Sequence, residues 1–379
     1  MRPTALKLTA VILLFCGFTS AVIAQDKLNV VTTAVPFLRI SPDARSGGMG
    51  ELGIATSPDQ YSGIWNGGKV AFNQSSGVGA TYTPWLKDVV NDVFLATLAG
   101  HYKFDDNQAI FGSLRYFSLG DIQFTDALGN DLTSFRPREF GIDVGYSRRL
   151  NAKHGVGIAL KYINSNLASG FNAGGTTYKT GSSVAADLSY YGNAVKASGD
   201  GWAWGAVLSN LGSKISYTDN ADAKDFIPAN LGLGVNYTNK FNNVNSISLG
   251  LEINKLLVPT PPSDSAGLVD YRNKSVIGSW FSSFGDADDG FGEEVKEIAV
   301  GVGAEYWYNN QFALRAGYHY ENKYKGNRSY FTAGVGLKYN IFGFNFAYLV
   351  PSGSGVSRNP LSNTLRFSVL FDFSRTAKK

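Results

Sequence analysis

Leu365-Arg366-Phe367-Ser368-Val369-Leu370-Phe371-Asp372-Phe373 is the stretch whose reading decides the fold. Leu365, Phe367, Val369, Phe371 and Phe373 fall on one side of an extended chain, and Arg366, Ser368 and Asp372 fall on the other. A period of two is the signature of a β-strand with one apolar and one polar face. The same pattern recurs upstream. Ile247, Leu249, Leu251 and Ile253 oppose Ser248, Gly250, Glu252 and Asn254; Leu231, Leu233, Val235 and Tyr237 oppose Gly232, Gly234, Asn236 and Thr238; Phe140, Ile142, Val144 and Tyr146 oppose Gly141, Asp143, Gly145 and Ser147.

The solvent that each face meets follows from what the polar faces carry. In a soluble sandwich the polar faces are rich in Lys, Glu and Thr, whereas here they are mostly Gly, Ser, Asn and scattered charges of both signs. Of 379 residues only 17% are charged, 13% are aromatic and 44 are glycine; charge is low and glycine high for a soluble enzyme. The aromatic content excludes a disordered chain. The mean hydropathy near zero excludes a bundle of membrane helices. The net charge of +4 is spread without a basic run, so no nucleic-acid footprint is expected. Tyr190 and Tyr191, Tyr306 to Tyr308 around Trp307, and Tyr318 and Tyr320 cluster at segment ends, as aromatic girdles do at headgroup depth. The fold predicted is all-β: a transmembrane antiparallel β-barrel, apolar outside and polar inside.

Segments begin near Gly77, Asp92, Ala109, Glu139, His154, Gly181, Gly201, Ala229, Ser246, Lys296, Gln311, Ser329, Ile341 and Thr364, about fourteen strands, an even number as bacterial barrels require. Their connections alternate in length. Asp105-Asp106-Asn107, Asn151-Ala152-Lys153, Asn242-Asn243, Asn309-Asn310 and the break at Asn340 are short; residues 120–138, 167–180, 212–228, 256–295 and 351–362 are long. The connection over 192–200 fits neither class.

Residues 1–24 read as a cleaved signal peptide: Arg2 and Lys7 precede an apolar run, and small residues end at Ala24. Its removal takes away Cys16, the only cysteine, so neither disulfide nor thiol chemistry is expected. Residues 25–76 do not alternate, yet carry Phe37, Leu38, Ile40, Leu52, Ile54, Ile64, Trp65, Val70 and Phe72. A lumen fourteen strands wide is too broad for wall side chains alone, so this stretch is expected to fold inside it as a hatch, with 77–379 as the barrel.

Gly48-Met49-Gly50-Glu51-Leu52-Gly53 matches the dinucleotide fingerprint letter for letter, but Ser41-Pro42-Asp43-Ala44-Arg45 before it is no buried strand. Close-packed hatch backbone is the better reading, and no cofactor is expected. Asp286, Asp288, Asp289, Glu293 and Glu294 are dense enough to suggest Ca²⁺, but their spacing misses the EF-hand loop, so a solvated acidic loop is expected. For catalysis there are only His101, His154 and His319, with no paired metal-site histidines and no nucleophile elbow. His319 should share the luminal face with Arg315 and Glu321, a plain lumen network or, in a barrel hydrolase, a catalytic one. Lys161, Asp143, Asp187, Glu252, Glu305, Arg315, Arg366 and Asp372 are lumen charges of mixed sign, most of them expected to pair simply because polar faces must be satisfied.

The run Ala34-Val35-Pro36-Phe37-Leu38-Arg39-Ile40-Ser41-Pro42-Asp43-Ala44-Arg45-Ser46-Gly47-Gly48-Met49-Gly50-Glu51-Leu52-Gly53-Ile54-Ala55-Thr56 resembles the opening of the PorV family of Bacteroidetes type IX secretion. Trp65-Asn66-Gly67-Gly68-Lys69-Val70-Ala71-Phe72 is similar to that family's Trp-Asn-Pro-Ala-Lys motif, with Gly67 and Gly68 in place of Pro-Ala, so a looser turn is expected. The resemblance covers the chain beyond the leader and implies a FadL-like barrel with Phe37, Arg45, Trp65 and Asn66 in its hatch. It implies an adaptor in the outer membrane, not an enzyme. Such an adaptor docks at a SprA-type secretion channel, accepts substrates through their C-terminal signal domains, and delivers them to a PorU-type attachment complex. Partner contacts are expected from the extracellular loop 256–295, above all Pro261, Trp280, Phe281, Phe284 and Phe291, because interfaces favour aromatic anchors; the alternative is a loop folded over the barrel mouth. The competing reading is uptake of hydrophobic small molecules, as by FadL.

Arginine at Leu249 or Val235, on the lipid face, should cost about 2–4 kcal/mol near midplane. Arginine at Gly250 or Asn236, on the luminal face, should cost less unless the hatch packs there. Refolding equilibria in liposomes measure both, and equal damage on both faces would undo the inside–outside assignment.

Overall fold

The structure, a computed structural model, describes residues 30–85, 92–125, 128–173, 175–219, 224–262, 267–287, 290–350 and 363–373. The expected signal peptide and the 351–362 connection lie outside them. Fourteen antiparallel strands close into one barrel: β1 Ser76–Pro84, β2 Val93–Lys103, β3 Gln108–Leu119, β4 Arg138–Arg149, β5 His154–Asn166, β6 Gly181–Asn193, β7 Gly201–Gly212, β8 Asn230–Lys240, β9 Asn245–Leu256, β10 Ala299–Tyr308, β11 Phe312–Tyr320, β12 Tyr330–Tyr339, β13 Phe342–Val350 and β14 Leu365–Phe373. Each expected segment start falls within three residues of its strand. β14 returns to β1 in register from Ser76 opposite Phe373 to Tyr82 opposite Phe367, so no edge is left for lipid to meet. The ladder has a bulge between β6 and β7, where Asn210 takes a left-handed backbone.

The faces divide as alternation requires. Leu249 is 53% exposed on the outside, while Glu252, three residues on, is 2% exposed on the inside. Val235, Leu160, Val144, Leu314 and Val369 share the exposed apolar side. The girdle reading needs correction at two sites. Tyr191 is buried in the lumen against Phe72, and Trp307 lies under the Arg315 guanidinium, 5.6 Å from its ring, so the Tyr190–Tyr191 pair and the Tyr306–Tyr308 run each send one member inward.

One end of the barrel carries the short connections and the other the long ones, which places the short turns in the periplasm. Asn309 and Asn310 both take positive φ, the conformation of a two-residue I′ hairpin. The long end adds elements that alternation did not reveal. Among the described residues there are three small hairpins, at Ile122–Thr125 with Asp131–Phe135, Asn172–Ala173 with Thr176–Thr177, and Ile215–Ser216 with Lys224–Asp225. Helices Gly267–Asn273, Val276–Ser282 and Phe291–Lys296 form a cap over residues 257–298. The connection between β6 and β7 covers residues 194–200 and sits at the end of the short turns, although it is longer than they are.

Residues 34–73 lie against the inward strand faces. They form a 3-10 turn at Pro36–Arg39, single helical turns at Ala44–Gly47 and Ser62–Trp65, and a 3-10 stretch Gly67–Phe72. Wall glycines let this backbone come close: a Cβ on Gly317 would stand 2.2 Å from the Gly50 nitrogen, and one on Gly303 would stand 2.3 Å from the Met49 oxygen. Gly250 belongs to the same surface, since its Cβ would lie 2.8 Å from Leu52 Cδ1. The segment thus packs at Gly250, so arginine there carries a steric cost of its own, and the comparison of the two faces rests on Asn236. Gly317→Leu should unseat the segment without opening the ladder; planar-bilayer conductance should rise while heat-modifiable gel migration persists.

Candidate functional site

The N-terminal segment is held by wall groups whose partners are hundreds of residues distant. Arg45 sits at the centre. Its Nε and Nη2 donate to Glu305 at 2.9 and 2.7 Å, and its Nη1 donates to Asp59 and to the Ser57 carbonyl, both at 2.9 Å. Arg315 shares Glu305 from the wall, donating at 2.7 Å from Nε, and reaches Asn345 at 2.9 Å. Two guanidinium groups on one buried carboxylate satisfy both of its oxygens, as a buried charge requires. Arg366 lies 3.0 Å from Glu51, and Gln60 donates to Asp372 at 2.6 Å. Glu252 accepts from the backbone N–H groups of Gly53, Ile54 and Ala55. Thr332 and Ser368 accept from Gly50 and Ala44. Half of the charges expected merely to pair thus grip the segment, whereas Lys161 pairs within the wall with Asp187 at 3.1 Å and Asp143 at 3.7 Å.

The residues singled out in this segment fall into the same framework. Phe37 is fully buried and stacks on Phe117 with ring centroids 6.4 Å apart. Trp65 donates from its indole to Asp43 at 2.8 Å. Asn66 donates to the carbonyls of Ile54 and Tyr190, both at 3.0 Å, and accepts from Gly68 N–H at 2.9 Å. That last bond caps the 3-10 stretch, so the turn at Gly67-Gly68 is held rather than loose. A Cβ on Gly67 would meet the Phe111 ring at 2.7 Å. The Gly48–Gly53 run opens no helix; it is the stretch pressed against Gly303, Gly317 and Gly334.

At the extracellular end Glu321 lies between Arg39, at 2.9 Å, and Arg328, at 2.8 Å. Arg315, His319 and Glu321 share the inward face but form no network. Arg315 serves Glu305, and His319 stacks on Tyr330 with centroids 5.3 Å apart and no hydrogen-bond partner on either ring nitrogen among the described residues.

The acidic loop departs from expectation. Glu293 and Glu294 are buried, paired with Lys325 and, at 2.9 Å, with Lys255, while Asp286 accepts from Thr260 Oγ1 at 3.2 Å. These carboxylates fasten the cap to the barrel rim instead of facing water. Asp288 and Asp289 lie outside the described residues. The helix Val276–Ser282 is inverted relative to a core helix: Ser279 and Ser283 face inward, whereas Ile277, Phe281 and Phe284 are exposed at spacings of four and three, Phe281 by 75%. Phe291 is 82% exposed; Trp280 and Pro261 are half-buried. Of the five residues expected to meet a partner, Phe281, Phe284 and Phe291 are exposed and the other two are not.

The Glu321 ion pairs give the hold on Arg39 a pH dependence. Burial alone would raise its carboxyl, but Arg328 and then Arg39 outweigh it and hold it at about 2, below the ordinary 4.5. Stabilisation worth roughly 3 kcal/mol is present above pH 4.5 and is lost as pH falls toward 2. Hydrogen exchange over residues 30–40 should show protection to about pH 4.5 and progressive loss below it. Glu321→Gln should begin at the unprotected level already at pH 7.

The family model for "Type IX secretion system protein PorV" matches residues 23–263, well over half of the chain. No curated protein sequence matches. Among solved structures, the P. putida toluene transporter TodX is similar at 12% identity and a TM-score of 0.52, over 89% of this chain and 99% of that one. The Ralstonia pickettii toluene transporter TbuX is similar at 13% identity and a TM-score of 0.51, over 88% and 98%. At such identity the likeness speaks to the fold: an outer-membrane barrel.

Proposed function

The chain belongs to the PorV family of type IX secretion system proteins, and from that premise we propose that it is an outer-membrane adaptor which handles its cargo at the extracellular rim and not through the lumen. In this reading it docks at a SprA-type channel, takes substrates by their C-terminal signal domains, and passes them to a PorU-type attachment complex. The observation that carries the proposal is the inverted helix Val276–Ser282. A short helix that buries serines and shows Ile277, Phe281 and Phe284 to water is costly in isolation and suits a surface that a partner covers. The N-terminal segment serves as a hatch. Arg45, Glu305 and Arg315 lock it across the lumen, so a polypeptide has no route through.

A second reading, uptake of hydrophobic small molecules, draws on a cavity of about 150 Å³ between segment and wall, where Leu38, Ile54, Ile64 and Trp65 face Arg115, Lys161 and Arg328. Binding of a long-chain fatty acid to purified protein, with no secretion partner co-purifying from native membranes, would favour it.

The adaptor reading predicts that Phe281→Ser combined with Phe291→Ser leaves barrel assembly intact. Cargo should nonetheless accumulate in the periplasm, with surface delivery down at least about tenfold and the channel lost from affinity purification. A double variant that secretes normally and retains its partners removes the cap from the mechanism.

A further inference from the structure

A separate cavity of about 430 Å³ opens at the extracellular mouth between residues 32–36 and the upper ends of β3 and β4. Its walls are aromatic: Phe117, Tyr217, Phe226 and Tyr271. Phe226 and Tyr271 meet edge to face at 5.5 Å. Into this apolar space faces Glu139, 2% exposed. Other buried glutamates are compensated: Glu305 has Arg45, Glu294 has Lys255, Glu321 has Arg328, and Glu252 has its three backbone N–H groups. Glu139 makes no ion pair among the described residues. It accepts from the Ser165 hydroxyl at 2.6 Å, which in turn accepts from the Tyr217 hydroxyl at 3.0 Å, a chain that positions one carboxylate oxygen and leaves the other without a counter-charge.

Asp225 adds a second negative group, and no lysine, arginine or histidine stands among the described residues of the lining. Lys214 holds its ammonium 4.1 Å from the Phe226 ring centroid, but it is committed to the carbonyls of Arg272 and Lys274 at 2.7 and 2.6 Å. A desolvated carboxylate behind a wall of electron-rich rings is complementary to one kind of group: a cation carried on an alkyl stem, which the ring faces attract and the carboxylate neutralises. We infer that this cavity receives the lysine or arginine side chain of a polypeptide docked at the extracellular mouth, with Glu139 as counter-ion and Tyr217, Phe226 and Tyr271 as walls. The volume exceeds what a small ammonium ion fills and accommodates a long stem together with part of its backbone. The inference goes beyond the adaptor role and does not depend on which protein brings the cation.

The test uses the full-length protein purified in detergent and three probes: a capped hexapeptide with one lysine, the same peptide with acetyl-lysine in that place, and n-butylammonium. Calorimetric titration should show the lysine peptide binding at least about tenfold tighter than its acetylated twin. Glu139→Gln, which keeps the bond from Ser165, should bring the two peptides to parity with gel migration unchanged. Phe226→Leu should weaken the preference with the carboxylate intact, and carries the test if the Glu139→Gln variant does not fold. Equal affinity for the two peptides in the wild type, or a preference that survives Glu139→Gln, overturns the proposal. Binding of n-butylammonium without either peptide overturns the polypeptide source and gives the cavity to small amines.

Discussion

The Glu252 carboxylate accepts from three consecutive backbone N–H groups, those of Gly53, Ile54 and Ala55, at 2.8, 2.5 and 3.3 Å. It shows the constraint that shapes the whole interior. Backbone enclosed by a membrane barrel has little water to bond with, and unpaired polar groups there are costly. The fourteen strands satisfy one another by closing. The N-terminal segment has no sheet to join, so the wall supplies acceptors: Glu252, Thr332, Ser368, and Ser147 for the Ala71 N–H at 3.1 Å. The inward faces mix glycine with hydroxyls and carboxylates because the first lets backbone approach and the others bond it once there.

How much of this was legible in the sequence follows from distance along the chain. Strand identity and facing were readable at Leu365–Phe373 and Asn245–Leu256 because alternation is a property of adjacent residues. The grip of Glu305 on Arg45 was not, because the two are 260 residues apart and either charge alone looks like any lumen charge. The acidic loop misled for the same reason: the lysines that pair with Glu293 and Glu294 are Lys325, on the connection after β11, and Lys255, near the end of β9. Trp307 and Tyr191 misled differently. A cluster of aromatics at a strand end looks like a girdle, yet period two sends alternate members inward. The cap helices were invisible to a search for alternation, although Ile277, Phe281 and Phe284 carried a helical spacing that could have exposed them. The luminal stretch itself was legible only as an apolar run without a period.

Cap and luminal segment are one mechanical unit. Val31 packs with Phe226, Val258 and Tyr271, and the Ala34 N–H donates to the Phe226 carbonyl at 2.9 Å. Arg39 ties the segment to Glu321 on the adjoining loop. The surface that displays Phe281 and Phe291 therefore rests on a column rooted by Arg45 deep in the lumen, and the rigidity of the rim depends on residues that never reach it.

That column has a consequence for biogenesis. Its upper end lies at the cell surface while β1 starts at the periplasmic end, so the chain descends through the interior before the first stave is laid. The ring is completed only when the final strand, β14, meets β1, and Ser368 of that strand then holds Ala44, a bond spanning 324 positions. Whatever machinery seals the cylinder must do so around material already inside it. A jammed filling would leave the seam between first and last strands ajar, halting insertion at its final step.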